Sequence, residues 1–292
     1  MKLTKKIHYY LVLHLTIIIW GFTGILGTLI SLPSSAIVID RMLIAYLALA
    51  SMLLFRKKEF VEKKIRWQML IVGVITAGHW LTFFESLKVS NVSVTLCCLA
   101  SCSFFVSLLQ PLFNNSKLKP YELVLGLFVI LGIYIIFTFE SDFSLGIILS
   151  LISAFLAAIF SVWNANLIKY NSAFTITLNE MLAGWIAMFL YFSFKDDFDL
   201  HQIIPHGIDW LYILVLGVIC TAIAFLLGTA VLKELSAFTV SISVNLEPIY
   251  GILLALWIFG ESEEMSMEFY FGAGIILSTI LANAYFKSKE TN

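Results

Sequence analysis

Leu232–Ser262, LKELSAFTVSISVNLEPIYGILLALWIFGES, decides how the rest of the chain is read. A short charged corner, Lys233-Glu234, opens onto an apolar run. Asn245, Glu247 and Pro248 interrupt that run, and Gly260-Glu261 ends it. An acid and a proline inside apolar helix are costly, so the interruption marks a bend, a site or both. An earlier stretch echoes this one. Val89-Ser90 lines up with Leu235-Ser236, Lys88 with Lys233 after one inserted residue, and Gly126 with Gly272. The chain reads as one unit used twice, over 1–140 and 141–292.

Composition gives the solvent. Of 292 residues, 60% are apolar and 13% charged, and the mean hydropathy is +0.96. Soluble domains sit nearer ~45–50% apolar and ~25% charged. The spacing of apolar runs predicts ten spans, roughly 8–30, 34–55, 67–87, 91–113, 120–139, 143–168, 173–194, 209–231, 235–259 and 267–286. The first run is too long for a signal-peptide core, and Leu32-Pro33-Ser34-Ser35 is no convincing cleavage site, so it reads as an uncleaved span. With the N-terminus inside, every lysine and arginine except Arg41, Lys88 and Lys195 falls on the cytoplasmic side. Both termini are therefore expected in the cytoplasm of a multi-pass plasma (inner) membrane protein. Five spans per unit is an odd number, so the second unit enters the bilayer upside down. The expected fold is an all-α membrane protein of ten transmembrane helices in two inverted five-helix repeats. Such repeats are a feature of many secondary transporters.

Several short motifs carry a family resemblance. They are Trp20-Gly21 in the first span, Asp40-Arg41-Met42 in the second, and Ser86-Leu87-Lys88-Val89-Ser90 closing the third. The second half has Leu232-Lys233-Glu234-Leu235-Ser236, Leu246-Glu247-Pro248, Gly260-Glu261 and the glycine-bearing last span Gly272–Ile280. In their order and doubled spacing they resemble the drug/metabolite transporter superfamily, and within it the bacterial EamA type. Two departures stand out. The first-half counterpart of Glu247-Pro248 is Ser101-Cys102, so Gln110-Pro111 is expected to supply the kink at a different depth. Asn115 stands where an acid would match Glu261. The resemblance implies a ten-helix secondary transporter, often an exporter of amino acids or other small metabolites. It also implies a central cavity lined by the first, third, fourth, sixth, eighth and ninth spans.

Candidate substrate-binding residues are Trp20, His79, Trp80, Trp163, Asn164, Asn166, Asn245 and Glu247. His79 and Trp80 offer N–H handles beside apolar rings, and a histidine can couple to protons. The plainer alternative is a hydrogen-bonded histidine joining two helices. Glu247 is a cation or proton site, an anchor for a substrate amine, or a structural feature bonded to a neighbouring helix. Asn164 and Asn166 fit a polar cavity wall or helix-to-helix hydrogen bonding. Arg41, Glu85 and Glu180 are gating or ion-pair candidates. A bare arginine in hydrocarbon needs a carboxylate or an exit, so Arg41 is expected on Glu85 or Asp40. Asn179-Glu180-Met181 echoes Asp40-Arg41-Met42 from the opposite side of the membrane, where Lys169 or Lys233 is nearer to Glu180.

Cys97, Cys98, Cys102 and Cys220 all fall in apolar runs and read as small buried residues, not a disulfide or metal set. The loop bearing Asp197, Asp199, His201, His206 and Asp209 follows no standard metal spacing. A net charge of −1 gives no field for nucleic acid. Phosphate-loop, HExxH and GxSxG signatures do not occur. The expected partners are a small-molecule substrate, the lipid bilayer and, as coupling ion, protons; no cofactor or metal is expected. The function read from sequence is alternating-access transport of a small metabolite, an amino acid or related compound, with export favoured. The rival is an integral-membrane enzyme acting on a lipid or isoprenoid substrate, which needs catalytic acids or histidines clustered at one face.

Overall fold

Backbone without water must satisfy itself, and helices do so within one segment. The computed structural model describes residues 2–55, 59–114, 120–194 and 199–290, and every regular element among them is helical. Arg56–Lys58, Asn115–Lys119 and Lys195–Phe198, with Asn115 and the loop acid Asp197, lie outside the described residues.

The chain runs α1 (Lys2–Leu29), α2 (Ser34–Ser51), α3 (Lys63–Val89), α4 (Val92–Leu99), α5 (Cys102–Asn114), α6 (Pro120–Phe139), α7 (Ser144–Leu167) and α8 (Ala173–Ser193). It continues through α9 (Asp209–Leu214), a π-helical segment (Val215–Ile223) and α10 (Ala224–Val231) as one rod. α11 (Ala237–Val244), α12 (Leu246–Phe259) and α13 (Met267–Glu290) complete it. Local chemistry sets several ends. The Asn91 side chain accepts from the Val94 N–H at 2.8 Å and starts α4. Ser172 does the same for α8 through the Thr175 N–H at 3.3 Å. Gly260, at φ +60°, ends α12 in the left-handed conformation that glycine tolerates.

Among the described residues, eight helical stretches are long and apolar enough to cross a membrane. The fifth and tenth expected spans are shorter apolar helices, Val124–Phe139 and Met267–Asn283. The two interrupted spans correct the sequence reading. The break in 235–259 falls at Asn245, as its polar residues suggest. The break in 91–113 falls at Ala100-Ser101, not at Pro111, and α5 continues through that proline. The cause is a local tightening. The Ala100 and Ser101 N–H groups bond back to Cys97 and Cys98, and the Ser101 hydroxyl donates to the Cys98 carbonyl at 2.7 Å. The two breaks therefore sit at matching places in their spans.

α3 packs on α7 and α8, α2 packs on α8 and the π-helical segment, and α6 pairs with α13. Close approach depends on glycine. A Cβ at Gly73 would collide with the backbone oxygen of Glu180. One at Gly217 would fall 2.7 Å from Ile44. Gly132 and Gly272 pack against each other's carbonyls.

The helices alternate, so one face gathers 30–34, 89–92, 140–144 and 260–267, opposite the face that carries the chain ends. This far face is tied across its loops. The buried Glu263 carboxylate accepts from the Val92 and Ser93 N–H groups at 3.0 and 2.8 Å, clamping the start of α4. Asp209 accepts from the Ser31 backbone and hydroxyl, and Lys88 donates to the Ile30 carbonyl. Beneath these ties Ile30, Leu32, Ile37, Val38, Phe84 and Leu87 are buried in one apolar cluster. At the opposite face, the Ser172 N–H donates to Glu59 at 3.1 Å and Asn171 donates to the Phe60 carbonyl at 3.2 Å.

Candidate functional site

Under the far-face cluster lies a cavity of about 120 Å³. Both helix breaks face it, α4–α5 through Ala100 and Cys102, and α11–α12 through Asn245, Glu247 and Pro248. It reaches down to Leu232 and Val240, near the face of the chain ends. Its wall is aromatic. Trp80 meets Phe225 edge-on at 5.6 Å, Phe225 meets Phe160 at 5.8 Å, and Phe160 meets His79 at 5.3 Å. Trp20 closes another side, its ring against Gly228, where a Cβ would fall 2.7 Å from the indole.

Polar groups are few and fixed. His79 is buried, and its Nδ1 lies 3.0 Å from the Ser153 carbonyl and 2.8 Å from the Ser153 hydroxyl. The carbonyl accepts, so Nδ1 carries the proton in that contact. The ring is thus pinned to α7. Asn245 donates to the Ser103 hydroxyl at 3.1 Å, joining one broken span to the other. The Asn164 amide donates to Glu180 at 3.3 Å, while its own carbonyl oxygen has no partner.

Arg41 departs from expectation. It does not meet Glu85, which is exposed at a far-face cleft with Ser31 and Lys88. It does not meet Asp40. Its guanidinium lies 3.8 Å from the Trp80 ring centroid, and its Nε donates to the Thr221 hydroxyl at 3.0 Å. Thr221 passes its own proton to the Leu216 carbonyl, five residues back along the π-helical segment, at 2.7 Å. An indole face and a hydroxyl stand in for the missing carboxylate. Arg41 is 1% exposed, it lines the cavity, and its Nη1 has no hydrogen-bond partner.

Of the residues singled out in the sequence, Trp20, Arg41, His79, Trp80, Asn164, Asn245 and Glu247 therefore come together around one space. Four do not line it. Trp163 meets Phe113 at a tilt, their ring centroids 6.0 Å apart, towards the chain-end face. Asn166 bonds its own helix and accepts from Lys169 at 2.8 Å. Glu85 is on the far face. Glu180 is wholly buried behind Asn164, which takes the place expected for Lys169 or Lys233. Phe160, Phe225 and Thr221 escaped the sequence reading. Nothing in an apolar run distinguishes an aromatic that faces a cavity from one that faces lipid, and a π-helical turn leaves no compositional trace.

Among the described residues, eight apolar helices long enough to cross a membrane, two interrupted spans and a cavity between them define a multi-pass helical membrane protein. The profile of the EamA-like transporter family matches residues 8–138 and 144–285, and the chain belongs to that family. It is 28% identical over 248 residues to "Uncharacterized transporter YxxF" of Bacillus subtilis (strain 168), covering 82% of this chain and 78% of that protein. It is 27% identical over 152 residues to an "Uncharacterized transporter" of Archaeoglobus fulgidus, covering 52% of each. A solved structure titled "Crystal structure of protein" has the same fold, with TM-score 0.67 and 15% identity over 94% of this chain and 96% of that one.

Proposed function

We propose that the protein is a secondary active transporter that moves a small metabolite, an amino acid or related compound, by alternating access through the cavity at Arg41, Trp80 and Glu247. The observation that carries this reading is the cavity itself. Aromatic walls hold a few fixed polar groups, and both broken spans border it. The far side is sealed by apolar packing and loop ties, while the cavity extends towards the chain ends. That is the form expected of one stage of a cycle.

An inverted pair of repeats, 1–140 and 141–292, supplies the second stage by exchanging the roles of the halves. The packing supports this pairing. Gly73 receives Glu180 and Ala183, and Gly217 receives Arg41 and Ile44; these are the same positions with the halves exchanged. With both termini cytoplasmic, as the lysine and arginine pattern expects, the present form opens inward. An inward-opening site of this kind suits export from the cytoplasm. Protons are the coupling ion that the intramembrane carboxylates suggest.

Purified protein in liposomes, tested for counterflow of a panel of labelled metabolites, checks this reading. The expected result is saturable flux for at least one amino acid. No flux for any compound from correctly folded protein contradicts it.

A further inference from the structure

Two opposite charges face this cavity without meeting each other. Arg41 and Glu247 both line it and lie close enough for their charges to interact, yet they form no ion pair. Arg41 spends its Nε on Thr221 and one face on Trp80, and keeps Nη1 unpartnered. Glu247 is 7% exposed at the first turn of α12, and among the described residues no hydrogen-bond donor reaches its carboxylate. A buried guanidinium and a buried carboxylate each lose much when left unsatisfied. A ligand carrying both complementary groups relieves both at once.

Building on the transport reading, we propose that Arg41 and Glu247 are the two halves of a zwitterion receptor. Arg41 takes a carboxylate, Glu247 takes an ammonium group, and the Trp80–Phe160–Phe225 wall takes an apolar side chain. The indole holds the guanidinium plane in place, so Arg41 meets a carboxylate with little freedom left to lose. An organic cation leaves Arg41 unpaired and repelled. A simple carboxylic acid leaves Glu247 in the same position. The substrate class this selects is the α-amino acid with an apolar side chain.

The test uses the full chain in nanodiscs and calorimetric titration. The probes are phenylalanine and leucine, their decarboxylated amines (phenethylamine and isopentylamine) and their deaminated acids (3-phenylpropionate and 4-methylpentanoate). At least one amino acid is expected to bind, and its amine and acid bind at least about tenfold more weakly. Arg41→Gln erases the penalty for losing the carboxylate and keeps the penalty for losing the amine; Glu247→Gln does the reverse. A uniform loss of affinity for all the probes in either variant is the mark of a packing role and overturns the proposal. So does wild-type protein that binds neither amino acid, or that binds an amine or acid as well as the parent. The wild-type ranking decides the matter if Arg41→Gln does not fold. Saturable flux of a different class of metabolite in the same preparation sinks the zwitterion assignment while leaving the transport reading intact.

Discussion

Arg41 is a charge kept inside a membrane protein with no direct ion pair among the described residues. Its desolvation is offset by an indole face and one threonine hydroxyl. Thr221→Val keeps the volume but removes the acceptor, so a buried guanidinium N–H loses its partner. The expected cost is about 1–3 kcal/mol of stability, read as a lower unfolding temperature, with Thr221→Ser close to wild type. Glycines give a second residue-scale prediction. Gly73→Ala drives a methyl into the backbone of α8, which cannot turn aside, and overpacking of this kind costs about 1–3 kcal/mol. Gly217→Ala meets the Cγ2 and Cβ of β-branched Ile44 at 2.7 and 2.8 Å, which a rotamer change does not clear, so it is costly too, though less than the clash with α8 backbone. Gly274→Ala meets nothing within 4 Å and is neutral or slightly stabilising. Thermal unfolding of the three variants in one detergent checks that order.

At the scale of elements, the ends and breaks of helices carry the control points. Glu263 holds the start of α4 by two backbone N–H groups on the closed far face. Glu263→Ala removes both charge-assisted bonds. It is expected to speed labelling of a Leu32→Cys reporter by a water-soluble maleimide severalfold, because Leu32 is 6% exposed in the closed form; unchanged labelling goes against a clamp. At the chain-end face, burial pushes Glu59 up, but hydrogen bonds from Thr175, Ser172 and Asn171 outweigh it and hold its carboxyl below 4.5. A depressed carboxyl stabilises its contact above the ordinary carboxylate range and loses that effect as pH falls through its own lower value. The Ser172 amide is therefore expected to exchange more slowly in wild type than in Glu59→Gln near pH 6, with the difference shrinking as pH falls below the ordinary carboxylate range. Much of this level was legible in sequence. Asn245, Glu247 and Pro248 announced one break. The break at Ala100-Ser101 was hidden, because serine back-bonding needs no proline and leaves an ordinary apolar run.

Over the whole molecule, the doubled motif read from the sequence falls at two helix ends, Lys88–Ser90 closing α3 and Lys233–Ser236 following α10. The one inserted residue in that alignment is Glu234, in the corner between α10 and α11. The cavity was only partly legible. Intramembrane polar residues stand out against an apolar background, so Arg41, His79, Asn164 and Glu247 were found. Partners depend on tertiary geometry, so Arg41 was expected on Glu85 and instead lies on Trp80. The central claim is that transport requires the far face to open. Asn91 and Met265 touch across it at 3.2 Å. Counterflow of an amino acid by the Asn91→Cys/Met265→Cys protein, before and after bridging the pair with a short thiol cross-linker, tests that claim most directly. Bridging is expected to abolish flux and reduction to restore it; flux that continues through a bridged far face contradicts the account.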